Sequence, residues 1–498
     1  MDRALAELKE LLGELSDLRR AESLLAWDMT VWMPPRGQAS RAVQLATIER
    51  LAHERLASPR LGELLDELEP WAASLDPESD EAALVRVTRR DWEKARCVPT
   101  ELASELALVA AQGYEAWVRA REESEFGVFR PWLERLLELR QRQVECFAPY
   151  DDPYDVLLDD YEPGLRTEEV RRVFAVLEPG LRELVARHAI AEDGDELRGP
   201  FPVAAQERLS RELVERFGAR WDSFRLDQTV HPYQATVGLN DIRLTTRYSE
   251  DDLHSLFTAM HECGHGLYEW GVSPTLDRTP LASGASMALH ESQSRLWENV
   301  VGRSLPFWTW FYPRVQAAFP ERLADVSLER FHAAVNRARR SLVRVDADET
   351  TYGLHIVLRF ELEQELLSGR LAIADLPEAW NARFEELMGI PVPNDRLGVL
   401  QDSHWSAGSF GYFPTYLLGS VLAVQIWERA REALPDLEEQ VGRGEFADLH
   451  AWLRENLYRL GRKLTPAETI ERVAGGPIDP QPYLAYLRAK LERLAAAV

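Results

Sequence analysis

Ser249-Glu-Asp-Asp-Leu253-His-Ser-Leu-Phe257-Thr-Ala-Met260-His261-Glu262-Cys263-Gly264-His265-Gly266-Leu267 is the stretch whose reading decides the fold. Ser249 is a helix-capping residue, and Glu250, Asp251 and Asp252 put negative charge where a helix N-terminus favours it, so a helix is predicted from Ser249. Leu253, Phe257, Met260 and Leu267 recur at helical spacing and form its buried face. His261 and His265 then stand one turn apart on a common face, where two imidazoles converge on one tetrahedral cation. Glu262 projects beside them toward a metal-bound water, the place of a general base. Gly264 and Gly266 weaken a helix, which implies a need for room near this site.

A cation held by two histidines needs a third ligand. Ala285 to Val301 reads as a second helix closed by Gly302, with Glu291 and Glu298 two turns apart. Glu291 is the preferred ligand over Glu298. A zinc histidine is commonly oriented by a carboxylate or carbonyl on its other ring nitrogen. Arg295 cannot accept that hydrogen bond, which leaves Glu298, Asp241 or a backbone carbonyl.

Outward from these helices the same periodicity continues. Leu5, Leu8, Leu11, Leu12 and Leu15 mark an amphipathic helix at one end, and Leu484, Leu487, Leu491 and Leu494 mark another near the other. Thr465-Pro-Ala-Glu468 reads as a capping box, and Gly369 as a helix stop. The exception is Leu226 to Tyr248, where β-branched and aromatic residues surround Gly238-Leu-Asn-Asp241 and predict a hairpin. No low-complexity tract, fixed-period repeat or long linker interrupts the 498 residues. The chain therefore reads as mainly α, one domain over 1–498, with Pro200-Phe-Pro202 and Pro391-Val-Pro393 as candidate lobe junctions.

Composition narrows the partners. Fifty-eight basic against eighty-three acidic side chains give a formal charge of -25, which repels phosphate backbones and anionic lipid. No nucleic-acid or membrane partner is expected. Ser403 to Trp427 lacks charged side chains, but its first half is polar loop, leaving Tyr416 to Trp427 as a buried helix. Cys97, Cys146 and Cys263 lie far apart, and the first fifteen residues mix leucines with charges unlike a secretory signal, so a reducing, cytoplasmic setting is expected.

Several ordered motifs resemble those of the carboxypeptidase Taq family: His231-Pro232-Tyr233, Asp241-x-Arg243-x-Thr245, His261-Glu262-x-x-His265, His290-Glu291-Ser-Gln293, Arg344-x-x-Ala-Asp348 and Gly398-x-x-Gln401-Asp402-x-His404-Trp405. Trp27-Asp28, Met33-Pro34 and the run Gly411 to Tyr416 are also similar to the family, so the likeness spans nearly the whole chain. Tyr233 stands where Phe is usual and Val343 where Ile is typical. The resemblance implies a two-lobed helical protein with a deep groove and a small sheet near its active site. It also implies a homodimer, one zinc ion per chain with cobalt able to replace it, and removal of residues from the free C-termini of peptides.

Further roles follow from that likeness. His404 and Tyr416 resemble the His and Tyr pair of related helical oligopeptidases and are expected to hydrogen-bond an oxyanion, with Tyr412 as the alternative to Tyr416. An enzyme confined to chain ends must bind a carboxylate, for which the planar fork of arginine is suited. Arg344, in an extended stretch before a helix expected to be capped by Asp346, is the first candidate and Arg243 the second. An edge strand of the hairpin is expected to hold extended peptide, with His231 closing the groove. The competing readings are an endo-acting zinc oligopeptidase and an inactive helical binding scaffold.

Overall fold

The computed structural model describes residues 2–189 and 197–497. Helices dominate it, and their ends follow local chemistry. Thr465 and Glu468 exchange side-chain and backbone hydrogen bonds as a complete capping box for Pro466–Ala474. Gly369, in the left-handed region at φ 71°, follows the helix Tyr352–Leu367. The first helix, Asp2–Val31, buries Ala4, Leu8, Leu12 and Trp27.

The expected hairpin is present as β2 (Gln234–Gly238) and β3 (Asp241–Thr246), paired antiparallel with Ala235 opposite Arg243. It belongs to a larger unit. β1 (Phe224–Gln228) lies parallel to β3 on the other side, giving the order β1-β3-β2. Ile242 and Leu244 of β3 are fully buried and lie within reach of Gly266, where an added Cβ would come 2.8 Å from Leu244. The sheet is thus fixed to the back of the histidine helix.

Four helix boundaries differ from those expected. The histidine helix runs His254–Gly271, and Ser249 does not cap it. Gly199 and Phe201 donate to the carbonyls of Asp251 and Glu250, and Gln206 donates to that of Ser249, which holds the acidic run outside the helix. The second helix starts at Met287, capped by Ser286. It then widens into a π-helical turn, Leu296–Val301, before Gly302. Asp346 does not cap the following helix: Arg344–Asp346 is a 3-10 turn, and Asp348 receives the N–H groups of Thr350 and Thr351 ahead of Tyr352–Leu367. The apolar helix near the end of the charge-free stretch begins at Phe413, three residues before Tyr416, and runs to Ala433.

One large apolar core extends from Trp117 to Leu491 and crosses both proline-rich breaks. A separate core lies among the N-terminal helices, where Leu8, Leu12, Leu64, Leu65 and Leu68 meet Leu239, Val272, Leu276 and Leu281. Ion pairs Arg20–Asp277 and Arg278–Asp17 run across that second contact. No helix among the described residues is long and apolar enough to cross a membrane.

Candidate metal centre

The site forms where the helices His254–Gly271 and Met287–Arg295 touch. A Cβ on Gly264 would lie 2.5 Å from the Gln293 carbonyl oxygen and 2.6 Å from Ser294 Cα, so only glycine permits this approach. The contact brings Glu291 opposite the two histidines. Glu291 Oε2 lies 3.7 Å from His261 Nε2 and 3.5 Å from His265 Nε2.

Every other polar atom of the trio is already engaged. His261 Nδ1 is 2.9 Å from Glu298 Oε2, and His265 Nδ1 is 2.6 Å from His290 Nδ1. Glu291 Oε1 accepts from Arg295 Nε at 2.7 Å. Two Nε2 atoms and one carboxylate oxygen are left facing one another, all within 4.8 Å. Ligand atoms at about 2.0–2.1 Å from a tetrahedral cation stand about 3.3–3.5 Å apart, close to the spacing found here. The residues present fit a divalent metal.

Electrostatics sharpen the arrangement. Burial works against ionising Glu291, but Arg295, His261 and His265 outweigh it and hold the carboxylate well below its usual range. Burial holds the His265 ring down to about 4, keeping it neutral as a ligand must be. Burial also opposes charge on His261, yet Glu291, Glu298 and Glu262 together raise it. Glu262 is 6% exposed, and burial pushes its carboxyl up to about 7. After burial, the charges around it act both ways: His261 and Arg295 favour its carboxylate, while Glu291 and Glu298 oppose it.

The helix Phe413–Ala433 closes the other side. A Cβ on Gly419 would fall 2.6 Å from Glu291 Cβ, and Tyr416 lies three residues earlier on the same face. Tyr416 Oη is 3.1 Å from His404 Nε2, while Tyr412 stacks edge-on against Tyr416 with ring centroids 5.1 Å apart. The structure therefore groups His404, Tyr412 and Tyr416 beside Glu291. Burial keeps His404 neutral, down to about 4, and its Nδ1 has no hydrogen-bond partner among the described residues.

The proposed carboxylate binders are elsewhere engaged. Arg344 is 6% exposed; its Nε and Nη2 bond Asp402 and its Nη1 donates to Tyr352 Oη at 3.0 Å. Arg359 shares Asp402, and Gln401 Oε1 accepts from Arg344 N and Arg359 Nη2. Gln401 and Asp402 thus serve to bind two arginines. The Arg344 guanidinium also lies 5.0 Å from the Tyr416 ring centre, which connects it to the site. Arg243 pairs with Asp241 and stacks 4.3 Å over Trp27. His231 is exposed in the turn between β1 and β2.

Of the three orienting groups considered in the sequence, Glu298 is the one that meets His261. The partner of His265, His290, went unassigned, as did Glu269, which bonds His290 Nε2 at 2.9 Å. Glu269 follows His265 by four residues, and that one-turn spacing was the available signal.

Comparison with known proteins agrees with this geometry. The model of the Carboxypeptidase Taq (M32) metallopeptidase family matches residues 7–491. The chain is 42% identical to Thermostable carboxypeptidase 1 of Thermus thermophilus over 99% of each chain, and 34% identical to Carboxypeptidase 1 of Bacillus subtilis over 98% of each. It superposes on the crystal structure of the M32 carboxypeptidase from Deinococcus radiodurans with a TM-score of 0.96 at 40% identity, covering 99% of this chain and 100% of that one. Two histidines and a glutamate arranged for a metal, in a helical frame shared along the full length, have one reading: the chain belongs to the carboxypeptidase Taq (M32) family and is a metallocarboxypeptidase.

Proposed function

We propose that this enzyme is a zinc carboxypeptidase of broad specificity, with His261, His265 and Glu291 holding one Zn2+ that Co2+ can replace. The observation that carries this reading is the trio of facing ligand atoms with a buried carboxylate, Glu262, on the same helix. Bound there, the metal would polarise the scissile carbonyl and lower the pKa of a water. Glu262 would take a proton from the attacking water and pass it to the leaving amine.

The remaining residues orient and stabilise. His404 donates from Nε2 to Tyr416 Oη, which leaves the phenol hydrogen free for the developing oxyanion; Tyr412, against the same ring, is the alternative donor. Arg344 receives the substrate carboxylate through the Nη1 that now serves Tyr352, with Arg243 as second candidate. β2 lies at one edge of the sheet and supplies main-chain groups for extended peptide, with His231 at its approach. Residues 1–498 act as one peptidase domain, as a homodimer, on peptides with a free C-terminus. The free cysteines Cys97, Cys146 and Cys263 suit a cytoplasmic setting.

The test is mass spectrometry of one peptide in free and C-terminally amidated forms, with metal analysis of the protein. Stepwise loss of single residues from the free form, blocked by amidation and by chelation, is expected. Internal cleavage of the amidated peptide would instead establish an endopeptidase, and no cleavage of either by zinc-loaded protein a binding scaffold.

A further inference from the structure

The two histidines of the trio are supported in different ways. His261 Nδ1 meets a carboxylate directly, that of Glu298. His265 Nδ1 meets another imidazole, His290 Nδ1, at 2.6 Å, and His290 Nε2 meets Glu269 Oε1 at 2.9 Å. Glu269 is itself anchored, for the same Oε1 accepts from Ser283 Oγ at 3.1 Å and from Gly284 N at 3.0 Å. The ring of His290 has little freedom. A Cβ on Gly284 would lie 2.8 Å from His290 Cδ2 and 3.0 Å from Tyr268 Cε1, so this loop closes tightly on both rings.

Two Nδ1 atoms at hydrogen-bond distance require that one carries hydrogen and the other a lone pair. A histidine that ligates through Nε2 keeps the lone pair there and carries its hydrogen on Nδ1. His265 Nε2 faces Glu291 Oε2, so as a ligand His265 donates from Nδ1 and His290 Nδ1 accepts. His290 Nε2 then carries its ring's hydrogen and donates to the Glu269 carboxylate, which accepts only.

We infer that Glu269 and His290 form a two-step positioning relay that fixes the tautomer and ring orientation of His265. The carboxylate acts through an intervening imidazole, and neither residue touches the reacting atoms. His290 precedes Glu291 in sequence, so the same helical turn supplies one ligand and the support of another. The inference rests on the reading that His261, His265 and Glu291 hold the metal.

The test uses the full-length enzyme and Zn2+ as the probe. Nitrogen-15 NMR of selectively labelled histidine in zinc-loaded wild type should show His265 with hydrogen on Nδ1 and His290 with hydrogen on Nε2 and none on Nδ1. His290→Phe removes the acceptor and Glu269→Ala frees the relay; each is expected to weaken Zn2+ about tenfold to a hundredfold in competition with a chromophoric chelator. His290→Gln, which keeps an acceptor and a donor, should recover most of that affinity. Wild-type tautomers opposite to these, or folded His290→Phe with unchanged affinity, would overturn the relay. If His265→Ala binds Zn2+ as tightly as wild type, the underlying assignment of the ligands fails instead.

Discussion

Glu291 is pressed against a glycine: at Gly419 a Cβ would come 2.6 Å from Glu291 Cβ and 2.7 Å from its Cγ. Gly419→Ala must therefore push the ligand helix or the helix Phe413–Ala433 aside. Overpacking of this kind costs about 1–3 kcal/mol. We expect a lower melting temperature without metal and weaker Zn2+ in chelator competition, and unchanged values for both would show that the contact is slack.

Glu262→Gln keeps the size of the side chain and removes its ability to take a proton. Activity should fall by about a hundredfold or more, in kcat, while bound zinc remains stoichiometric. Loss of the metal along with activity would mean that Glu262 shapes the site and is not its base. Steady-state kinetics paired with metal analysis distinguishes the two.

Asp402 sits between Arg344 and Arg359, at 2.8 Å and 2.6 Å in its shortest contacts, all three nearly buried. Asp402→Ala leaves two guanidinium groups without their shared anion, at a cost of about 3–5 kcal/mol. Denaturant unfolding should show that loss. Arg344→Lys should raise KM for free peptides if Arg344 also receives the substrate carboxylate, and the comparison of the two variants separates support from binding.

Glu162, 1% exposed, accepts the N–H of Ala288 at the start of the ligand helix. Burial pushes its carboxyl up to about 8 from 4.5. The folded state therefore retains a proton that the unfolded chain releases, and this group's stabilisation is full below about pH 4.5 and lost as pH rises through about 8. Glu162→Gln keeps an acceptor for Ala288 and cannot ionise. Its stability relative to wild type should rise across that window, by on the order of a few kcal/mol, as read from urea unfolding at several pH values; a flat difference would refute the shift.

What could be read from sequence was what is local. His261, Glu262 and His265 lie within one turn, and helix geometry alone orients them. Glu291 was legible as a carboxylate on the next helix, and β2 and β3 as a hairpin joined by a short turn. Contacts distant in sequence were not legible. The start of the histidine helix was misplaced because Gly199 and Phe201, some fifty residues earlier, take up the carbonyls of Asp251 and Glu250. β1 pairs parallel with β3 only after the chain has passed through β2. The clasp of Asp402 on Arg344, 58 residues away, and the seat of Glu291 against Gly419 leave no periodic trace. The π-helical turn at Leu296–Val301 buries Leu296, Trp297, Val300 and Val301, a spacing that suits an α-helix equally.

The N-terminal helices carry a core of their own and meet the rest of the enzyme partly through Arg20–Asp277 and Arg278–Asp17, pairs with solvent-facing members. Such attractions fade as electrolyte is added, whereas the enclosed charges around Glu291 are shielded from it. Brine would accordingly loosen these surface pairs long before it disturbed the enclosed charges of the metal site, leaving the apolar contact to hold the N-terminal helices in place.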